Sequence, residues 1–359
     1  MAEAVQAAPR EQGWARLLLA LAAFLFLPAV PVLGATLPVT ESFLLLVPAF
    51  AACTLVGWWA GGRAALAVVW VPLAAFTLYM QMNASGSYGV LLRAWAVVLA
   101  GAFGLLALLD IRRPFFPRAL SAVAMTLVAA LTISMALRAP AGRVQRIVAQ
   151  QMERRNASAV AQLRAWSREK PELWATMTSQ YANSQAPIDE VEDALGIVTR
   201  RTSPVFVSLL ALQSLAALAL AWALYHRLGR ARLGPPLSVL GDFRFNDQLV
   251  WGLIVGLTIL LLPSLAPARA SGLRVLRTTG LNLIVFFLSL YALRGFGVLS
   301  WMLSSRTLSI VVAVALVLVL VPMTAGIALP GLLSLVTAAG VLGLGDTWFD
   351  WRRRARLTP

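Results

Sequence analysis

The chain is short of the side chains that most often carry chemistry. Among its 359 residues, Cys53 is the only cysteine and His226 the only histidine. A lone cysteine cannot close an intramolecular disulfide. One histidine and one cysteine exclude a His/Cys zinc set, a bis-histidine haem and any serine–histidine relay that needs a buried histidine. Charge is sparse too: 13% of residues are charged, where a soluble domain carries about a quarter. Acids are half as numerous as bases, 15 against 30, and Lys170 is the only lysine. So strong a bias to arginine fits the composition of a GC-rich bacterial genome. No metal site, no cofactor and no catalytic residue is expected from this inventory, and the chain reads as a non-enzyme.

What fills the space is apolar. Hydrophobic residues make up 60% of the chain and the mean hydropathy is +0.79. A water-soluble fold cannot hide such an excess, because even a large domain leaves much of its surface exposed. A lipid bilayer accepts apolar side chains outward if each backbone group is bonded within its own helix. The net charge of +15 and pI near 11.5 do not point to nucleic acid. The arginines stand at the ends of apolar runs, where they orient spans in a membrane.

A spanning helix needs about 20 mainly apolar residues, and about ten candidates can be counted. They lie near Ala15–Ala35, Ser42–Ala60, Ala64–Met80, Val90–Leu109 and Arg118–Leu137, then Pro204–Tyr225, Leu249–Ala266, Gly280–Leu303, Leu308–Met323 and Gly326–Leu344. The expected fold is all-α: a polytopic transmembrane helical bundle with a small extracytoplasmic helical insert. It divides into an N-terminal membrane bundle (1–137), the insert (138–203), a C-terminal membrane bundle (204–350) and a basic cytoplasmic tail (351–359). The first run resembles a signal peptide, with Arg10 and Arg16 ahead of it and Leu33-Gly34-Ala35 as a cleavage site. Pro28, Pro31 and the close approach of the next run favour its retention as a span. Arginine placement puts both termini in the cytoplasm and the chain in the inner, cytoplasmic membrane. Arg269, Arg274 and Arg277 run against that rule locally.

Within the insert, Val144, Ile147, Val148, Met152, Ala159, Leu163 and Trp166 recur at helical spacing. A second helix is expected to start at Pro187, with Asp189, Glu190, Glu192 and Asp193 early and Gly196 past its end. The pair would form a cap on the membrane surface or over the bundle.

Polar residues inside apolar spans are the natural functional candidates, because hydrocarbon penalises them. Asn282, Tyr291 and Arg294 share the eighth run and form the candidate ligand-binding set. If that span ends near Leu293, Arg294 snorkels to the interface; otherwise it would suit an anion or carboxylate. Gln213 is expected to bond a neighbouring helix. The run Asp242-Phe-Arg-Phe-Asn-Asp-Gln-Leu-Val-Trp251 leads into the seventh span, its acids complementing the helix dipole. At the end, Asp346 and Asp350 stand at i,i+4, followed by Trp351, Arg352, Arg353 and Arg354. That group reads as a capped, anchored helix end, and its arginines also suit anionic lipid headgroups.

The C-terminal third, roughly Ser203–Arg356, resembles the YybS-like family of uncharacterised bacterial multi-pass membrane proteins. The likeness is carried by Phe245-Asn-Asp-Gln-Leu-Val-Trp-Gly-Leu, Gly280-Leu-Asn282, Tyr291 with Arg294-Gly-Phe-Gly297, Gly343-Leu-Gly-Asp346 and Asp350-Trp-Arg-Arg-Arg. The family pattern has Gln-Gly where this chain has Arg294-Gly295. The resemblance implies a helical bundle with an extracytoplasmic insert and a short basic tail, and it implies no activity. It is loosely similar at fold level to vitamin-binding subunits of energy-coupling transporters, which recruit separate ATPases.

Two functions compete. One is transport-related binding of a small neutral solute within the bundle, with an ATPase or membrane protein as partner. The other is a non-catalytic envelope scaffold that docks partners through its insert or cytoplasmic end. Convergence of Asn282, Tyr291 and Arg294 on one enclosed polar cavity would favour the solute; separately satisfied side chains would favour the scaffold.

Overall fold

The computed structural model describes residues 13–29, 37, 39, 41–80, 86–136, 138, 142–179, 186–231, 233–265, 270–302 and 325–349. Among the described residues the regular structure is helical, with no strand. The helices are α1 (Trp14–Phe26), α2 (Phe43–Trp59), α3 (Ala64–Met80), α4 (Gly86–Leu109), α5 (Phe115–Ala136), α6 (Arg143–Glu169), α7 (Pro171–Met177), α8 (Ala186–Thr202), α9 (Phe206–Leu228), α10 (Val250–Leu265), α11 (Ala270–Met302) and α12 (Ala325–Phe349).

Among the described residues, four stretches are long and apolar enough to cross a membrane: α4, α5, the run Ile188–Leu228 through α8 and α9, and Val275–Ser300 within α11. Shorter apolar helices, α1, α2, α3 and the stretch Asp247–Leu262, accompany them. The outward faces are apolar: Val69, Leu109, Val128 and Leu131 are all exposed. Contiguous apolar surface of this kind suits contact with lipid chains rather than water. The run expected at Leu308–Met323 lies outside the described residues, and Gly326–Leu344 falls within α12.

Helix α9 is the hub. Its Leu218, Ala221, Trp222 and Tyr225 are buried against Cys53 and Val56 of α2, Phe103 of α4 and Phe115 and Ala119 of α5. It also touches α1 on one side and α11 on the other. Although α9 follows the insert in sequence, it packs among the helices that precede it. The C-terminal layer is α10, α11 and α12, with α11 in the middle. There the backbones meet directly: a Cβ on Gly295 would collide with the Ala339 carbonyl, and one on Gly343 with the Tyr291 carbonyl. Small residues allow this approach, and dispersion between the closely packed helices replaces the missing hydrophobic drive in lipid.

The polar insert folds as a helical hairpin. The base of α6 is anchored in the bundle, since Val148 and Met152 are buried with Tyr88, Trp95, Phe206 and Leu210. Beyond that point α6 faces α8, and Val160, Ile188, Leu195 and Val198 make a small core closed by Leu163, Trp174 and Val191. Asn156 ties the two helices by donating to the Leu195 carbonyl (3.2 Å) and to Thr199 Oγ1 (2.8 Å). The stop expected at Gly196 is not made. Helix α8 runs on to Thr202, because Val198 and Thr199 in the extra turn are themselves buried, which outweighs the roughly 1 kcal/mol cost of an internal glycine. The short helix α7, started by Pro171 at its first position, closes the hairpin with a T-shaped Trp166–Trp174 pair, centroids 5.7 Å apart.

Candidate functional site

Two buried arginines inside the bundle hold the segment 229–249, which passes between them as a strap. Arg118 sits in the first turn of α5 and is fully buried. Its Nη1 donates to the Leu233 carbonyl (2.9 Å), and its Nη2 reaches the carbonyls of Asp110 (2.6 Å), Arg113 (2.9 Å) and Ile111 (3.2 Å). A helix leaves its last carbonyls without intrahelical partners. Those just past the end of α4 therefore form a ready-made cage for a cation, reinforced by the negative end of the α4 dipole. The Trp222 ring closes one side, 4.9 Å from the guanidinium carbon.

The same corner engages the only histidine. His226 Nδ1 lies 3.0 Å from the Trp222 carbonyl and Nε2 lies 3.1 Å from that of Gly234. Trp222 Nε1 donates to the Pro235 carbonyl (3.2 Å). Gly234 has φ of +120°, and a Cβ added there would lie 3.0 Å from the Arg113 carbonyl oxygen, a conformation and a space that admit only glycine without strain. The contacts to Leu233, Gly234 and Pro235 fasten the beginning of the strap to the helix ends of α4, α5 and α9.

Farther along, the strap crosses the bundle on aromatic rings. Phe243 and Phe245 pack on Phe116 of α5, with centroids 5.2 and 5.7 Å away, and Phe245 meets Tyr291 of α11 at 5.1 Å. Asn246 then accepts from the Gln248 backbone N–H (3.0 Å), starting the short 3-10 turn that holds Asp247 in place. Asp247 Oδ1 accepts from Arg294 Nη1 at 2.6 Å.

Arg294 is the second buried arginine. Helix α11 continues to Met302, so Arg294 lies inside the helix and is 3% exposed. Snorkelling from a span ending near Leu293 is therefore corrected. Its Nε donates to Asp346 Oδ2 (3.0 Å) and its Nη2 to the Asp346 carbonyl (3.2 Å), while Phe245 lies 5.5 Å over the guanidinium. Asp346 is completely buried on α12. It thus serves as an interhelical counter-ion instead of a solvated acid at a helix end. Asp350, Trp351, Arg352, Arg353 and Arg354 lie outside the described residues; Trp348 and Phe349 before them are exposed.

Asn282 belongs to a different contact. Its Nδ2 donates to the carbonyls of Pro204 (2.7 Å) and Thr278 (2.8 Å), and its Oδ1 accepts from the Ser208 backbone N–H (2.9 Å) and hydroxyl (2.8 Å). The amide is satisfied on both sides and clamps α11 to the start of α9. Twelve residues separate Asn282 from Arg294, about 18 Å along a helix. Tyr291 and Arg294 are brought together; Asn282 is not. Gln213 bonds the segment ahead of α2 rather than a spanning helix, exchanging two hydrogen bonds with the Val39 backbone (3.0 and 2.7 Å).

Sequence reasoning missed Arg118, Trp222, Ser208 and Asp247. Only Asp247 had a signal, its place in the polar run ahead of α10. No protein-family model matches the chain, and no curated protein or solved structure matches it.

Proposed function

We propose that this is a bacterial multi-pass inner-membrane protein, with both termini cytoplasmic, that acts as a non-catalytic scaffold and presents its extracytoplasmic hairpin to a partner protein. One observation carries this reading: α8 passes through a single 3-10 turn, Ser203–Val205, into α9, the helix at the centre of the bundle. Combined with the burial of Val148 and Met152 at the base of α6, this seats the hairpin on a fixed support. From Met152 to Glu169 is seventeen residues, so α6 extends about 25 Å beyond its anchored turns. The outer face carries Ala157, Ser158, Ala161, Gln162 and Ala165, all exposed, a low-relief surface suited to helix–helix docking.

The bonding of Asn282 and Arg294 supports the same reading. Binding of a small neutral solute, with or without a recruited ATPase, would draw on Asn282, Tyr291 and Arg294. Asn282 and Arg294 instead hold neighbouring segments, at separate places. The likeness to the YybS-like family belongs to this reading and adds no activity to it.

The test is photo-crosslinking in native membranes from Gln162 and from Leu173, both exposed on the hairpin. Adducts with the same protein from both positions, lost when Ala161 is replaced by Arg, are expected. Adducts with lipid alone would remove the scaffold reading.

A further inference from the structure

The hairpin is electrically divided along its length, and the division matches the two environments it connects. At its base stand Arg138, Arg143, Arg146, Arg154, Arg200 and Arg201, every one exposed; among the described residues none of them has an ion-pair partner. Toward the tip the balance reverses: exposed Glu169, Glu172, Asp189, Glu190, Glu192 and Asp193 outnumber exposed Arg164, Arg168 and Lys170, with Arg164 bound to Glu192 at 2.8 Å, while the base carries an exposed Glu153 among its arginines.

The height of the basic base is set by its neighbours. Arg138 follows α5 directly, in a left-handed turn with φ of 46° that ends the helix. The last turns of α5 just below it expose Leu131, Ile133 and Met135, an apolar band fit for acyl chains. Arg143 and Arg146 open α6 beside Val148, which is buried with Phe206 and Leu210 in the first turns of α9. Arg200 and Arg201 stand five to six residues before Phe206, about 7.5–9 Å higher along a helical path, and Arg143 and Arg146 stand two to five residues before Val148, about 3–7.5 Å lower along α6. The polar headgroup region is about 5–8 Å thick on each side of the hydrocarbon, and long arginine side chains reaching up from Arg143 and Arg146 and down from Arg200 and Arg201 bring their guanidinium groups toward that one layer. Arg155 shows the same placement from within, lying 5.1 Å over the ring of Tyr88 at the start of α4.

We propose that these arginines form a collar for the phosphates of anionic phospholipids in the leaflet around the hairpin's base. Guanidinium groups match phosphate oxygens in pairs, and each basic group near an anionic surface contributes about 1 kcal/mol. The collar would fix the hairpin's angle to the membrane and leave its acidic tip repelled by the same lipids. The proposal does not depend on the hairpin having a protein partner.

The experiment is native mass spectrometry and thermal unfolding of the full chain in nanodiscs. Two lipid compositions are compared, phosphatidylcholine alone and phosphatidylcholine with phosphatidylglycerol. The variant is Arg143→Gln/Arg146→Gln/Arg200→Gln/Arg201→Gln. Retained phosphatidylglycerol and a higher unfolding temperature in the mixed lipid are expected for the native chain, with about tenfold less retention for the variant. In phosphatidylcholine alone the two should unfold at the same temperature, which separates lost lipid binding from lost folding. Equal retention by both chains would overturn the collar. So would a variant that unfolds early in phosphatidylcholine, or a stabilisation reproduced by inorganic phosphate without the anionic lipid.

Discussion

Arg118 and Arg294 are both buried in helices and both grip the 229–249 strap, yet they are neutralised in opposite ways. Arg118 is held by backbone carbonyls and an indole face, with no carboxylate in contact. Arg294 is held by two carboxylates, one buried on α12 and one on the strap. A carbonyl cage depends on where helix ends lie, so it can form only once α4, α5 and α9 are in place. Carboxylates can attract from a distance and specify which segments meet, here at the cost of desolvating Arg294 and Asp346, while Asp247 stays exposed. The N-terminal group of helices is joined to its strap by shape; the C-terminal layer is joined to it by charge.

This contrast can be broken experimentally in graded steps. The strongest disruption is expected from Gly343→Leu, because the α11–α12 backbone contact leaves no room for a side chain. Overpacking there should cost more than about 3 kcal/mol, read as loss of accumulated protein in the membrane fraction. Asp346→Leu comes next. It strands a buried guanidinium and should cost about 3–5 kcal/mol, with much of the loss recovered in the double variant Arg294→Met/Asp346→Leu. Among the described residues no carboxylate forms an ion pair with Arg118. Arg118→Met should therefore destabilise by about 1–3 kcal/mol through stranded carbonyls, and adding Asp110→Asn should restore nothing. Thermal unfolding in detergent reads all of these.

Smaller effects sharpen the division between bundle and hairpin. Asn282→Leu should lower stability by about 1–3 kcal/mol, less than additively with Ser208→Ala, since the two share hydrogen bonds. Full stability in Asn282→Leu would return that residue to the candidate solute site. The exposed Arg164–Glu192 pair is expected to matter least: Arg164→Ala should shift stability by under about 0.5 kcal/mol.

The apolar runs were legible in the sequence because lipid imposes a simple demand, long stretches without unmatched polar groups. The hairpin's first helix was legible for a related reason: Val144, Val148, Met152 and Leu163 recur at helical spacing. What stayed hidden was pairing at long range. Arg294 and Asp346 are 52 residues apart, and neither carries a local sign that α12 returns across α11 at that height. Asp346 read as a helix-end acid because Asp350, Trp351 and the arginines after it form a convincing anchor by themselves. Arg118 read as an orientation signal, since a cage of backbone carbonyls has no side-chain signature. Gly295 and Gly343 were visible individually; their contact needed the crossing of two helices.

The most direct test is native mass spectrometry of the protein gently purified from its own membranes, with and without Asn282→Leu and Ala161→Arg. A stoichiometric protein partner that disappears with Ala161→Arg, and no metabolite that depends on Asn282, is the expected result. A bound small solute lost in Asn282→Leu, with the protein complement unaffected by Ala161→Arg, would contradict the scaffold and restore the bundle interior as the functional site.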